Sequence, residues 1–185
     1  MKKTIIAVPI FLFALLILIG GVVFVIARYQ HSTPQKVSNI NPSVPLAKAQ
    51  LKVANSDQKL TVGIPIRVEI VGSSLNHAVT GYDVIVSYDK KTLTLVSAQS
   101  LLPSFNLFKI EKETGVTLTG VLSLAEKKGE ILSATPFIAL NFVPKTYGAK
   151  TISVMPSLNK SKTQFIDQDN NSFLPLGNEI TISVQ

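Results

Sequence analysis

The side chains best suited to chemistry in this 185-residue chain are few and scattered. Asp167-Gln168-Asp169-Asn170-Asn171 opens like a calcium loop, with oxygen-bearing side chains at its first, third and fifth positions. Such a loop needs glycine at the sixth position for its sharp turn and a bidentate glutamate at the twelfth, where this chain has Ser172 and Asn178. A polar hairpin turn is the better reading, with weak calcium binding as its alternative. Glu111 and Glu113 sit two apart on one strand face. Paired carboxylates can cleave glycosides, but a solvated strand edge accounts for this pair more simply. His31 and His77 are the only histidines, and neither has a partner at ligand spacing. Cysteine is absent, which removes thiolate ligands, thiol nucleophiles and disulfides. No nucleophile elbow, HExxH, phosphate loop or dinucleotide fingerprint occurs. The expectation is a protein that is not an enzyme and holds no cofactor and no metal of its own.

Charge and hydropathy divide the chain into three parts. Thr4–Ala27 has no charged residue, and 17 of its 24 positions are Ile, Leu, Val or Phe. As a helix it would be about 36 Å long, enough to cross a bilayer with some tilt. It is longer than the apolar core of a cleaved signal peptide, and no small-x-small site follows it. Residues 1–27 are therefore expected to form a cytoplasmic tip and a signal-anchor transmembrane helix, with the lipid bilayer contacted through residues 4–27. Lys2 and Lys3 lean towards a cytoplasmic N-terminus, which puts the rest of the chain outside the cell. Residues 28–46 read as a linker, with Pro34, Pro42 and Pro45 among Ser, Asn, Gln and Thr. The net charge of +7 is concentrated near the apolar stretch: Ala47–Gln185 has 14 basic and 11 acidic residues, a net of only +3. That is an ordinary surface and not a nucleic-acid footprint.

From Ala47 the pattern changes to short alternating runs separated by turn residues. Nine strands are expected: Gln50–Ala54, Ile66–Val71, Val79–Tyr88, Leu93–Ser97, Phe108–Lys112, Val116–Leu124, Phe137–Val143, Thr151–Met155 and Glu179–Val184. With no stretch of helical period beyond residue 27, the fold class is all-β, a sandwich occupying residues 47–185. The run of Val79–Tyr88 alternates most clearly. Tyr82, Val84, Val86 and Tyr88 share one face, so Asp83, Ile85 and Ser87 share the other. If Leu118, Leu122 and Leu124 face the core, Thr119, Val121 and Ser123 line an outer face; burial of this strand on both sides is the open alternative. The path of residues 101–108, a hydrophobic loop, is not fixed by pattern.

Four features of this domain resemble the cohesin domain, the bacterial module that binds dockerins. Val62-Gly63-Ile64-Pro65-Ile66 is similar to the family's opening segment. Gly81-Tyr82-Asp83-Val84-Ile85-Val86-Ser87-Tyr88-Asp89-Lys90-Lys91-Thr92-Leu93 is similar to its most specific stretch. Gly129-Glu130-Ile131-Leu132 with Leu140-Asn141-Phe142-Val143, then Asp167–Asn171 with Asn178–Val184, resemble its later strands and hairpin. Lys90 replaces a usual proline, Ser133–Pro136 looks like an insertion, and Asn170-Asn171 stands where glycine is common, so the resemblance is to a distant member.

The resemblance implies a nine-strand jelly-roll sandwich that binds and does not catalyse. It also implies that the outer face carrying Asp83 receives the partner, with Asp83, Ile85, Ser87, Thr119, Val121 and Ser123 as contacts. Burial of Ile85 in the sandwich would remove that face. The implied partner is a dockerin-like protein whose own folding needs calcium. A carbohydrate-binding or adhesion module of the same fold is the alternative. Against it, the chain has no Trp and four Tyr, which leaves Tyr147 and Phe105 as the aromatics that could be exposed for sugar stacking. A structural role in an envelope complex, with Gly20-Gly21 packing in the span, is a third reading.

Overall fold

The computed structural model describes residues 46–54 and 59–185. The expected transmembrane helix, and all of the expected linker except Leu46, lie outside the described residues. The strands are β1 (Lys48–Val53), β2 (Ile66–Tyr88), β3 (Leu93–Ser100), β4 (Phe105–Lys112), β5 (Gly115–Leu122), β6 (Glu130–Pro144), β7 (Gly148–Met155), β8 (Ser157–Leu158), β9 (Ser161–Lys162), β10 (Gln164–Asp167), β11 (Ser172–Phe173) and β12 (Glu179–Val184).

Each of the nine expected runs falls on a strand, but the count of nine is corrected to twelve among the described residues. Two expected runs, Ile66–Val71 and Val79–Tyr88, are one 23-residue strand, β2. It survives its polar middle because Leu75 and Asn76 adopt left-handed backbone (φ 54° and 68°), absorbing a bend without ending the pairing. Ser74 braces that bend: its hydroxyl donates to the His77 carbonyl and accepts from the Leu132 N–H. The apparent insertion at Ser133–Pro136 lies within β6, taken up by shifts of register against β2 and by Ala134 at φ 54°. The additional strands β8 to β11 have two to four residues each, too short to show a period.

The bend lets β2 serve two layers. Its first half pairs with β1 on one side and β6 on the other, and β6 continues to β3. Its second half pairs with β5 on one side, and with β10 and then β7 on the other. β4 extends the sheet beyond β5, and β12 beyond β7. All these pairings are antiparallel. Ten strands thus form one continuous hydrogen-bonded network, with β8–β9 a separate ribbon.

Inward residues of both halves of β2, among them Val68, Ile70, Tyr82, Val84 and Val86, meet Leu118, Phe137, Leu140 and Phe142 in one core. A file of rings runs through it: Phe173, Phe165, Phe137, Tyr82 and Phe105, with successive centroids 5.6, 5.8, 5.0 and 5.3 Å apart. Pairs at these distances each add about 0.5–1.5 kcal/mol beyond the area they bury. Phe105, expected as a possible exposed sugar platform, is a buried member of this file, and the hydrophobic loop resolves into a turn closed by the Phe105 N–H on the Leu102 carbonyl. Tyr147 is exposed. Tyr82 fits only because β5 carries glycine beneath it: a Cβ on Gly120 would lie 2.0 Å from the phenol ring.

Candidate functional site

The outer face of β10, β2, β5 and β4 is ordered by register. Gln164, Asp83, Thr119 and Phe108 stand opposite one another across four strands. The next row contains Met155, Ile85, Thr117 and Ile110, and the row on the other side pairs Gly81 with Val121 and Asn106. Cross-strand partners share a face, so the sheet displays a grid whose composition can be read directly.

Asp83 is the polar centre of the grid. Its carboxylate accepts from the Thr119 hydroxyl at 2.6 Å and from Gln164 Nε2 at 3.0 Å. Thr119 and Gln164 thereby hold the carboxylate in one orientation, half-buried on the sheet surface. A shallow groove of about 270 Å³ opens beside it, lined by Asp83, Thr117, Thr119, Gln164 and Ile110 and bordered by Lys112, Lys160 and Lys162. Phe108, Ile110 and Val121 are exposed apolar side chains on the same face. An apolar surface around a fixed polar anchor, with charges at the border, is the composition of a protein-binding patch.

The six expected contact residues fare differently. Asp83 and Thr119 are brought together by a hydrogen bond, and Val121 is exposed one row away. Ser87 is half-buried at the far end, its hydroxyl donating to the Thr114 carbonyl. Ser123 lies just past β5, its N–H bound to the Ser104 carbonyl, outside the grid. Ile85, expected as an exposed contact, is fully buried. It is nevertheless not part of the core cluster, and its partner Thr117 lines the outer groove. On this side β9 packs against β2, and Thr163, immediately after it, accepts the Ile85 N–H and donates to the Met155 carbonyl. The outer face therefore persists, without Ile85 and Ser123. Leu124, expected inward, is completely exposed, because β5 ends at Leu122.

Phe108, Ile110 and Gln164 were not foreseen as site residues. Phe108, Ile110 and Lys112 do recur at every second position, a visible signal of one strand face. Gln164 belongs to a four-residue strand that carries no such signal.

The other chemically suggestive groups are engaged elsewhere. Asp167 is buried, and its carboxylate accepts from the N–H groups of Asp169 and Asn171 and from Asn171 Nδ2, with His77 Nδ1 at 3.3 Å. The Asn171 N–H, foremost among these donors, holds its pKa below the ordinary carboxylate value. Asn170 at φ 62° closes the turn between β10 and β11. The segment forms a polar hairpin, with the carboxylate oxygens turned onto their own loop. Glu111 is tied to Lys90 and Lys109 at 2.9 and 3.0 Å, which lower its pKa, and it forms no pair with Glu113. Among the described residues no cluster of three His, Cys, Asp or Glu is placed to hold a metal.

No protein-family model matches the chain, and no curated protein matches it. Solved structures do. The cohesin module of a family 33 glycoside hydrolase from Clostridium perfringens superposes with a TM-score of 0.62 at 15% identity, covering 76% of this chain and 98% of the module. The sixth cohesin of scaffoldin B from Acetivibrio cellulolyticus, solved with a Cel5 dockerin, gives 0.60 at 15% identity, over 76% of this chain and 100% of that one. A non-cellulosomal cohesin from the archaeon Archaeoglobus fulgidus gives 0.51 at 14% identity, over 69% and 83%.

Proposed function

From a domain with the cohesin fold, we propose that this chain is a non-catalytic docking module, and that the outer face of β10, β2, β5 and β4 receives a dockerin-type protein partner. The observation that carries the reading is the grid itself: Phe108, Ile110 and Val121 exposed around an Asp83 carboxylate already oriented by Thr119 and Gln164. A preoriented acceptor loses little freedom on binding, and exposed aromatic side chains are the usual anchors of such interfaces. Cohesin modules with the same fold are solved with dockerins on them.

The apolar stretch Thr4–Ala27, preceded by Lys2 and Lys3, supports display of the module outside the cell on a membrane anchor. Alkaline extraction of membranes and protease protection in intact cells test this part. A chain released by alkali, or a domain shielded from external protease, contradicts it.

The docking reading is tested by calorimetry of the purified full-length chain against a panel of dockerin modules, with and without a calcium chelator. The expected result is binding that the chelator abolishes through the partner and that Phe108→Ala weakens at least 10-fold, about 1.4 kcal/mol. Binding to glycans alone, unaffected by Phe108→Ala, overturns it.

A further inference from the structure

A second exposed apolar region lies far from the docking grid in register, at the end of the sandwich where the described chain begins. β1 starts there at Lys48, which stands opposite Ser73 of β2 and, on its other side, bridges to Leu176. Ser73 in turn stands opposite Ser133 of β6. The strand ends thus line up as Leu176, Lys48, Ser73 and Ser133 across four neighbouring segments. Around this line Leu46, Leu75, Leu174 and Leu176 are 41%, 37%, 60% and 50% exposed. A shallow cavity of about 330 Å³ lies among Leu46, Lys48, Val71, Leu75 and Ala134.

These leucines are held out by the fold. Pro175 between Leu174 and Leu176 is buried. The Leu176 N–H donates to the Ala47 carbonyl at 2.8 Å, and the Leu176 carbonyl accepts from Ala49 at 2.9 Å. Gly177 lets the segment lie against β7, since a Cβ there would come within 2.3 Å of the Val154 carbonyl. Leu75 is fixed by the left-handed bend of β2. Lys48 forms no ion pair among the described residues.

We propose that this end is a membrane-contacting surface: Leu46, Leu75, Leu174 and Leu176 insert shallowly into the lipid interface, with Lys48 at the level of anionic head groups. The proposal rests on the reading of Thr4–Ala27 as a membrane span. What commits the occupant to lipid is the course of the chain. The patch includes Leu46, and only 18 residues separate it from Ala27, the end of the apolar stretch. A short tether keeps the patch at high effective concentration over the bilayer, where a weak apolar and cationic contact is enough. Seated in this way, the module would hold a defined attitude to the membrane instead of swinging on its linker.

The chain has no cysteine, so single labels are readily placed. Leu176→Cys and Tyr147→Cys, the latter in the exposed turn after the opposite end of β6, are labelled with an environment-sensitive fluorophore. The full-length chains are reconstituted in vesicles containing about one-third anionic lipid with nitroxide-bearing acyl chains. The proposal predicts a blue-shifted emission and at least 2-fold stronger quenching at position 176 than at 147, and loss of the difference in a Leu75→Asp background. Equal, water-like signals from chains that float with the vesicles overturn the proposal and leave the anchor reading intact. Chains that fail to float overturn both. Energy transfer between labels at position 176 on separate chains, without lipid quenching, assigns the patch to a second copy and overturns it as well.

Discussion

Tyr82 and Gly120 show how one residue pair shapes the proposed docking face from behind. The phenol ring lies across β5 on its core side, in a space that exists only because residue 120 has no side chain. Gly120→Ala forces the ring or the strand to move, and overpacking of this kind costs about 1–3 kcal/mol. Urea denaturation is expected to show a loss in that range, and an unchanged midpoint contradicts the packing described. Tyr82 also reports through pH. Burial pushes its pKa up to about 12, and Tyr88, buried and close to the Glu111 charge, is pushed up to about 12 as well. Below pH 10 both phenols are neutral whether folded or unfolded. Between pH 10 and about 12 the unfolded chain ionises first while the fold still holds them neutral, so stability falls through that window. For Tyr82 the loss approaches roughly 2–3 kcal/mol, measurable as a drop in urea midpoint between pH 9.5 and 11.5 that Tyr82→Phe reduces.

At the scale of elements, much of the sheet could be read from the sequence because a strand with one buried face announces itself by period two. Val79–Tyr88 is the clearest case, and its inward set of Tyr82, Val84, Val86 and Tyr88 packs in the core. What could not be read is what has no period. The ribbon β8–β9 is two residues by two, yet its β9 packs against β2 beside the buried Ile85, which is lost to the candidate site. The bend of β2 depends on Leu75 and Asn76 taking left-handed backbone, and leucine gives no hint of that. Gln164, the second donor to Asp83, arrives from a strand paired with residues about 80 positions earlier, a long-range pairing that no local pattern encodes. The turn between β10 and β11 was legible from its missing glycine and glutamate, and its Asp167 bonds give a prediction. The Asp167 pKa is lowered in the fold, so its contribution to stability is present above the ordinary carboxylate value of 3.8 and is lost as pH falls below it. Asp167→Asn is expected to lower the thermal midpoint at pH 7 and to flatten the acid side of the stability profile. Millimolar calcium is expected to leave the midpoint of the unaltered chain unchanged. A clear upward shift with calcium contradicts the assignment of this loop as a plain hairpin.

For the whole molecule, the two layers share the bent strand β2, so the proposed docking face is backed by the aromatic file. The groove is bordered by Lys112, Lys160 and Lys162, with Asp83 the acid at its centre. A partner presenting acidic residues at its margin would associate faster at low salt, whereas the apolar anchors would set the dissociation rate. Affinity for the proposed partner resides in this face and not in the sandwich edges or loops. The most direct test is the dissociation constant of a bound dockerin measured with the unaltered chain and with the double variant Phe108→Asp and Val121→Asp, both confirmed folded by their melting curves. The account predicts a loss of 100-fold or more, about 2.7 kcal/mol; a dissociation constant within a factor of two of the original contradicts it.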